Sequence, residues 1–208
     1  HHIWNSHGFE LKEGWYWFQE GFTEYISEKT SSSLGMTASD HLKKELAIRY
    51  AKYNQLSIKD SKNLLQTSLA KNPTREERDI NYHKGMLVAF LMDNQLQNQG
   101  KSLEQFMGDI YQAYAIPGKP IGNKEIIDFI DAYLGDDTLT KKYVLGTESI
   151  PRSSLGFGWK YYWWSVERYL PPLAFPWNLL VALGVIFAGL TIVYVAMRLI
   201  GKRLRNRT

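Results

Sequence analysis

The chain has 208 residues, of which 44% are hydrophobic and 14% aromatic, so it can form a core and is not a wholly disordered protein. The absence of cysteine excludes a disulfide scaffold, a cysteine-ligated metal and a cysteine nucleophile. The net charge of +4 comes from the C-terminus, because residues 198–208 hold 5 cations and no acid. Without these 5, the remaining 20 of the 25 Lys and Arg residues face 21 acids, so we expect no nucleic-acid partner.

Paired residues that cap helix N-termini indicate most of the predicted elements. In such a capping box, a Ser or Thr is followed three positions later by an acid or Gln. The pairs are Thr37 with Asp40, Ser57 with Asp60, Thr74 with Glu77, and Ser102 with Gln105. The four helices are expected to end near Tyr53, Ala70, Asn98 and Tyr114, in that order.

Two further helices are expected, one at residues 15–27 and one from the capping residue Asn123 to about Leu134. A loop rich in Pro and Gly, residues 116–122, precedes the second of them. No segment shows the alternation of apolar and polar residues that is typical of a strand. The body of the protein is therefore predicted to be all-α.

An uncharged stretch of 20 residues, NLLVALGVIFAGLTIVYVAM, runs from Asn178 to Met197. A helix of this length rises about 30 Å, the thickness of the hydrocarbon core of a bilayer. We therefore predict one membrane-spanning helix, with a buried core helix as the alternative. The cations that follow indicate a cytoplasmic C-terminus and a body outside the cytoplasm, in a periplasm or an extracellular space.

The segment before the predicted span, residues 152–177, is rich in aromatic residues and proline. Its WKYYWW run at 159–164 is typical of side chains at the level of lipid headgroups, and packing against the body is an equal alternative. We expect 152–177 to lie at the membrane surface and 198–208 to be a basic cytoplasmic tail.

Three short segments contain the residue types of a metal site. They are HHIWN at residues 1–5, WFQEGFTEY at 17–25 and YHKG at 82–85. An imidazole from His2, at the end of one helix, and a carboxylate from Glu20, on the next, could converge on one cation. Catalytic zinc commonly takes two His and one Glu and leaves a position for water. A Tyr hydroxyl near the metal could donate to the oxyanion that forms when water attacks a carbonyl.

Each of these residues also has a simpler interpretation. Glu20 fits a solvated helix face, Tyr82 fits a core position, and His1 with His2 fits the remnant of a purification tag. Trp17 and Phe22 are expected in the core.

The ordered set of motifs resembles the gluzincin metallopeptidases, and in particular the glycyl aminopeptidase family, which is related to the alanyl aminopeptidases. The resemblance implies that His2, before Trp4 and Asn5, is the second histidine of an HExxH zinc motif. It also implies that Glu20 is the third zinc ligand and that Tyr82 stabilises the tetrahedral intermediate. Residues 102–114 and 143–151 resemble later segments of the same family, so the resemblance covers residues 1–151.

Two acidic or amide residues near the proposed ligands have weaker assignments. Asn5 belongs to the motif junction, and Glu24 lies one turn beyond Glu20, where it could orient a zinc ligand or be a plain surface acid. The other histidines, His7, His41 and His83, are expected to be exposed or hydrogen-bonded. Lys84 is expected to pair with an acid.

The resemblance implies a membrane-anchored zinc peptidase that acts on peptides. Residues 1–151 would be the helical C-terminal half of a thermolysin-like catalytic domain, with Zn²⁺ as its cofactor. The family's first zinc His and its general-base Glu would precede His1, so we expect residues 1–208 alone to be inactive. The PDZ domain usual in this family is replaced by residues 152–177.

Two alternatives stay open. One is a zincin-like pseudoenzyme that serves as a membrane-anchored binding or scaffold protein. The other is a helical domain with an incidental anchor, in which all three motif matches are chance.

Overall fold

The computed structural model describes residues 8–158 and 183–186. The zinc-site candidates His2 and Asn5, both ends of the predicted span, Asn178 and Met197, and the tail at 198–208 lie outside these residues. Within the described ranges, no helix combines the length and the hydrophobicity needed to cross a bilayer. Residues 183–186 form one turn of helix in a second unit of the chain, and the helical body at 8–158 is described below.

Helices make up most of the body, and the described residues contain no strand. The α-helices are α1 (Tyr16–Ser33), α2 (His41–Gln55), α3 (Leu64–Ser68), α4 (Arg75–Asn98), α5 (Leu103–Ile110), α6 (Asn123–Leu134) and α7 (Thr138–Tyr143). A π-helical turn, Tyr111–Ala115, continues α5, and a 3-10 turn, Arg152–Leu155, follows α7. An isolated parallel bridge joins Leu11 to Ile121. The all-α prediction is confirmed for the described part of the chain.

Helix α4 is the centre of the body. The Thr74 hydroxyl caps its N-terminus by accepting from the Glu77 N–H at 3.2 Å, while the Glu77 carboxylate accepts from the Thr74 N–H at 2.7 Å. Beyond this turn, apolar side chains are buried on all sides of the helix (Ile80, Met86, Leu87, Val88, Ala89, Leu91, Met92 and Leu96). A helix that is buried all round needs cover on every side, and α1, α2 and α3 provide much of it.

An aromatic cluster covers α4 from the side of α1. Trp15, Trp17, Phe18 and Phe22 are all at most 1% exposed, and the ring centroids of Phe18 and Phe22 are 4.5 Å apart. Burying large rings of this kind is among the strongest apolar contributions to a core. The predicted core positions of Trp17 and Phe22 are confirmed.

Gly21 in α1 and Gly85 in α4 mark the point where these two helices touch. A Cβ atom added to Gly21 would lie 2.3 Å from the carbonyl carbon of Gly85, and one added to Gly85 would lie 2.5 Å from the carbonyl oxygen of Trp17. Both distances are far below the roughly 3.5 Å of ordinary van der Waals contact. Only glycine fits at either position, and the two missing side chains let the helix backbones come into direct contact.

Hydrogen bonds from Trp17 fix the first turn of α1 on its neighbours. Its backbone N–H donates to Ser68 Oγ at 3.0 Å, and Ser68 Oγ donates to Asn81 Oδ1 at 3.2 Å. The Thr67 hydroxyl donates to the same Asn81 oxygen at 2.9 Å. The indole Nε1 of Trp17 donates to Asn123 Oδ1 at 2.9 Å. These buried groups satisfy one another and tie α1 to α3, α4 and α6.

Some of the predicted helix starts are confirmed. The capping boxes at Thr74 and Ser102 are present, and the helix predicted at 15–27 is present but continues to Ser33. The box at Thr37 is wrong, because Asp40 precedes α2 and makes no capping hydrogen bond with its side chain.

Helix α3 starts at Leu64, so the start predicted at Ser57 is also wrong. The Ser57 hydroxyl donates to Glu76 Oε2 at 2.5 Å instead of capping a helix. Asn63 is the true cap: its Oδ1 accepts from the Gln66 N–H at 2.8 Å, and the Gln66 side chain accepts from the Asn63 N–H at 3.0 Å. A distant carboxylate thus competes successfully for the Ser57 hydroxyl.

Asn123 begins α6 as predicted but is not its cap. Gly122 is the residue before the helix, and its N–H donates to Glu125 Oε2 at 2.9 Å. The Asn123 side chain instead donates to Glu13 Oε1 at 2.9 Å. The short helix α7 was not predicted.

Replacement of Gly21 by alanine tests the helix contact. We expect Gly21→Ala to lower the free energy of unfolding by about 3 kcal/mol, the upper part of the usual range for overpacked cores, because the added methyl group meets backbone atoms. Urea unfolding followed by circular dichroism measures the change.

Gly108 provides the matched control, because it also lies within a helix, α5, but a Cβ atom added there meets nothing within 4 Å. Gly108→Ala is expected to be neutral or to stabilise the protein by about 0.5–1 kcal/mol. Equal losses in the two variants would contradict the assigned contact.

Candidate functional site

Glu20 of α1 and Tyr82 of α4 meet beside the contact between Gly21 and Gly85. Both side chains line one cavity of about 220 Å³. The full lining is Tyr16, Glu20, Pro73, Arg78, Asn81 and Tyr82. Two of the residues singled out from the sequence, far apart along the chain, therefore lie at the same cavity.

The Tyr82 hydroxyl lies near the Glu20 carboxylate, whose negative charge disfavours ionisation of the phenol. Burial, together with this nearby carboxylate, raises the pKa of Tyr82 to about 12. The phenol therefore keeps its proton at neutral pH. A protonated phenol at a cavity is a hydrogen-bond donor of the kind that stabilises a developing oxyanion.

Glu24 lies one turn beyond Glu20 and is tied to α2. Its Oε2 is 2.8 Å from Nη2 of Arg49, so the charge of Glu24 is balanced by an ion pair. A turn further along α1, Glu28 Oε2 lies 2.8 Å from His41 Nε2, which makes His41 a hydrogen-bonded histidine as expected. These contacts join the acidic face of α1 to α2.

Arg78 and Asn81 line the cavity but were not predicted from the sequence. Arg78 precedes Tyr82 by four residues in a helix, and this spacing alone puts both side chains on one face. Asn81 accepts from two hydroxyls of α3, and its Nδ2 donates to the Glu77 carbonyl at 2.9 Å. The spacing could have indicated Arg78, whereas the partners of Asn81 lie on another helix and leave no local pattern.

The two residues after Tyr82 do not follow their predictions. His83 is only 8% exposed, and its Nδ1 has no hydrogen-bond partner among the described residues. Burial lowers the pKa of His83 to about 3, with help from the cations of Arg49 and Lys52, so the ring is neutral. The expectation that His83 is exposed or hydrogen-bonded is wrong, because other elements also cover the side of α4 on which His83 lies.

Lys84 is fully buried, and its Nζ has no hydrogen-bond partner in the described part of the chain. The amine lies 5.9 Å from the centre of the Tyr53 ring, which provides a cation–π contact. The predicted pairing of Lys84 with an acid is therefore wrong. The sequence could not indicate this, because an aromatic ring from α2 takes the position of the expected carboxylate.

A complete metal site is not found among residues 8–158 and 183–186, where no three His, Asp or Glu side chains are grouped to hold an ion. Glu20 is the candidate ligand within that range, and His2 lies outside it. The structure thus brings together Glu20 and Tyr82, and it does not describe the histidine side of the predicted centre.

Comparison with protein-family models gives no match for this chain, and comparison with curated proteins gives none either.

The buried amine of Lys84 makes stability depend on pH. Burial lowers its pKa to about 8, against the attraction of the Asp60 and Glu148 carboxylates, whereas the unfolded chain has a pKa near 10.4. Between about pH 8 and 10 the unfolded state binds more protons than the folded state, so stability rises with pH.

Lys84→Met should raise the free energy of unfolding at pH 7 by about 1–3 kcal/mol and flatten the rise of stability between pH 8 and 10. Urea unfolding at pH 7, 8, 9 and 10 measures both effects.

Lys43 is an exposed lysine of α2 and serves as the control. Lys43→Met should leave the pH dependence unchanged. An unaltered rise between pH 8 and 10 in Lys84→Met would show that the buried amine is not its source.

Proposed function

We propose that this chain is part of a membrane-anchored zinc metallopeptidase, of the aminopeptidase type, that hydrolyses peptide bonds with metal-activated water. The observation that carries the proposal is that Glu20 and Tyr82 line one cavity together. A carboxylate ligand and a phenolic donor beside one another are two of the parts that such a reaction needs.

Among the described residues, Glu20 could serve as a zinc ligand. Glu20 is a half-buried carboxylate at the cavity wall, and carboxylate oxygen is a common zinc ligand. In the proposal, Glu20 and His2 would hold Zn²⁺ together with a second histidine, which the family resemblance puts before His1. The bound metal would polarise the scissile carbonyl and lower the pKa of its water.

Tyr82 has the properties that the reaction requires of an oxyanion donor. Its raised pKa keeps the phenolic proton in place at neutral pH. Tyr82 lines the same cavity as Glu20, the proposed metal ligand. With Glu20 bound to the metal, the phenol would donate to the substrate oxygen as negative charge develops there.

Substitution of the two site residues separates metal binding from catalysis. In the full-length protein, Glu20→Gln is expected to lower bound zinc from about one equivalent to well below one, because a neutral amide is a poorer zinc ligand. Tyr82→Phe is expected to retain zinc and lower kcat by about 10²-fold or more, with a smaller effect on KM. Zinc content by elemental analysis and hydrolysis of N-terminal glycyl and alanyl peptides measure the two effects.

Glu28→Gln is the matched control, since Glu28 lies on the same helix face and pairs with His41 away from the cavity. This variant should keep both zinc and activity. A full-length protein that binds no zinc and cleaves no peptide would refute the proposal and favour a membrane-anchored scaffold with the same fold.

The proposed anchor depends on the uncharged stretch at 178–197 and on the cations that follow it. These features favour a single span, with the catalytic body outside the cytoplasm.

Protease treatment of intact cells tests this orientation. Protease added outside should digest the helical body and leave an epitope at the C-terminal tail intact, because the bilayer protects it. Digestion of the tail with survival of the body would reverse the proposed orientation, and an untethered body in the soluble fraction would refute the anchor. Cells opened by detergent, in which both parts should be digested, provide the control.

A further inference from the structure

Arg78 presents a cation at the cavity that contains Glu20 and Tyr82. Its side chain is exposed at the cavity lining, and Nη1 donates to the carbonyl oxygen of Pro73 at 2.6 Å. This bond anchors one end of the guanidinium. A guanidinium has five N–H donors in a planar fork, so four donors are left for other partners.

The acids nearest to Arg78 along α4 are engaged elsewhere. Asp79 Oδ2 lies 3.7 Å from Arg75 Nε, and Glu77 Oε1 lies 2.5 Å from Lys62 Nζ. Within the described residues, no carboxylate forms an ion pair with Arg78 itself. The charge of Arg78 is therefore not balanced by an ion pair within the described part of the chain.

The spacing of Arg78 and Tyr82 along α4 sets how long a ligand must be to contact both residues. Arg78 and Tyr82 are separated by about one helical turn, which rises 5.4 Å in a standard α-helix. Successive Cα atoms of a peptide are 3.8 Å apart. A ligand whose carbonyl oxygen meets the Tyr82 hydroxyl would therefore have its next one or two residues beside Arg78.

We propose that Arg78 binds a carboxylate of the peptide substrate, one or two residues from the scissile bond, and so selects acidic or short peptides. That the bound peptide is a substrate rests on the proposed peptidase function. That a carboxylate binds here rests on the cavity alone. Planar guanidinium groups bind carboxylates through two parallel hydrogen bonds, which is a pairing that a lysine cannot reproduce.

The Glu20 carboxylate strengthens the argument for a selective role. Glu20 lines the same cavity, so its negative charge would repel the carboxylate of a ligand unless a cation lay beside that carboxylate. Arg78 supplies that cation on the α4 side. The carboxylate it binds comes either from the C-terminus of a short peptide or from an Asp or Glu side chain, and the experiment below distinguishes these sources.

Binding of matched peptides tests the inference without requiring hydrolysis. The probes are tripeptides with N-methylated amides, which resist cleavage: tri-alanine as the acid, tri-alanine as the C-terminal amide, and Ala-Glu-Ala and Ala-Gln-Ala as amides. Isothermal titration calorimetry on the full-length protein should show about tenfold tighter binding of at least one carboxylate probe than of its neutral counterpart. Tighter binding of the acid identifies a C-terminal carboxylate, and tighter binding of Ala-Glu-Ala identifies an acidic side chain.

Substitutions at Arg78 assign the preference to this residue. Arg78→Gln should abolish the tenfold difference, and Arg78→Lys should retain only part of it. Arg75→Gln is the matched control, because Arg75 is an exposed arginine of the same helix that does not line the cavity. Thermal melting should be similar for these variants, since both side chains are exposed. Equal binding of acids and amides by the natural protein, or an unchanged preference in Arg78→Gln, would overturn the inference.

Zinc content and hydrolysis of the unmethylated peptides, measured in parallel, separate this inference from the proposed function. Hydrolysis without a carboxylate preference would overturn the role of Arg78 alone. A carboxylate preference that Arg78→Gln removes, in a protein without zinc or hydrolysis, would overturn the peptidase and support the carboxylate site.

Discussion

The contact between Gly21 and Gly85 is the constraint on which the site depends. Helices packed through ordinary side chains lie about 8–10 Å apart, and the separation depends on the residues at the contact. Here neither helix has a side chain at the contact, so backbone meets backbone. Glu20 directly precedes one glycine, and Tyr82 lies one turn before the other. The close approach is therefore what allows the carboxylate of one helix to lie near the phenol of the other.

Close approach alone does not fix how far one helix slides along the other. The buried hydrogen bonds of Trp17 do this, since its backbone and its indole are held by groups from α3 and α6. Asn81, which also lines the cavity, accepts hydrogen bonds in the same network. The polar groups therefore set the register of α1 on α4, and the glycines set its distance. Both are needed to bring Glu20 to Tyr82, because a shift of one residue would rotate Glu20 away by about 100°.

The capping pattern predicted the starts of α4 and α5 correctly and those of α2 and α3 wrongly, and for α3 the structure gives a physical reason. At Thr74 the hydroxyl has a partner three residues later and no competitor, so the local motif decides. At Ser57 the same pattern is present, but Glu76 takes the hydroxyl from a distant part of the chain. A pattern that depends on local hydrogen bonds predicts structure only where the tertiary fold offers the same group nothing better.

The residues of the candidate site also divide into those that a sequence motif indicates and those that only the packing of the helices reveals. Glu20 and Tyr82 could be singled out from the sequence because the glycines that bring them together lie close to them and complete recognisable motifs. Arg78 and Asn81 belong to no motif. The four-residue spacing could place Arg78 on the helix face of Tyr82, but the cavity itself forms only when α4 packs on α1. The motif residues lie at the helix contact, where the geometry leaves little choice of side chain. The cavity wall around them has no such restriction, because an exposed position such as that of Arg78 accepts many side chains. The sequence therefore singles out Glu20 and Tyr82, whereas the charge and shape of the cavity wall emerge only from the packing of the helices.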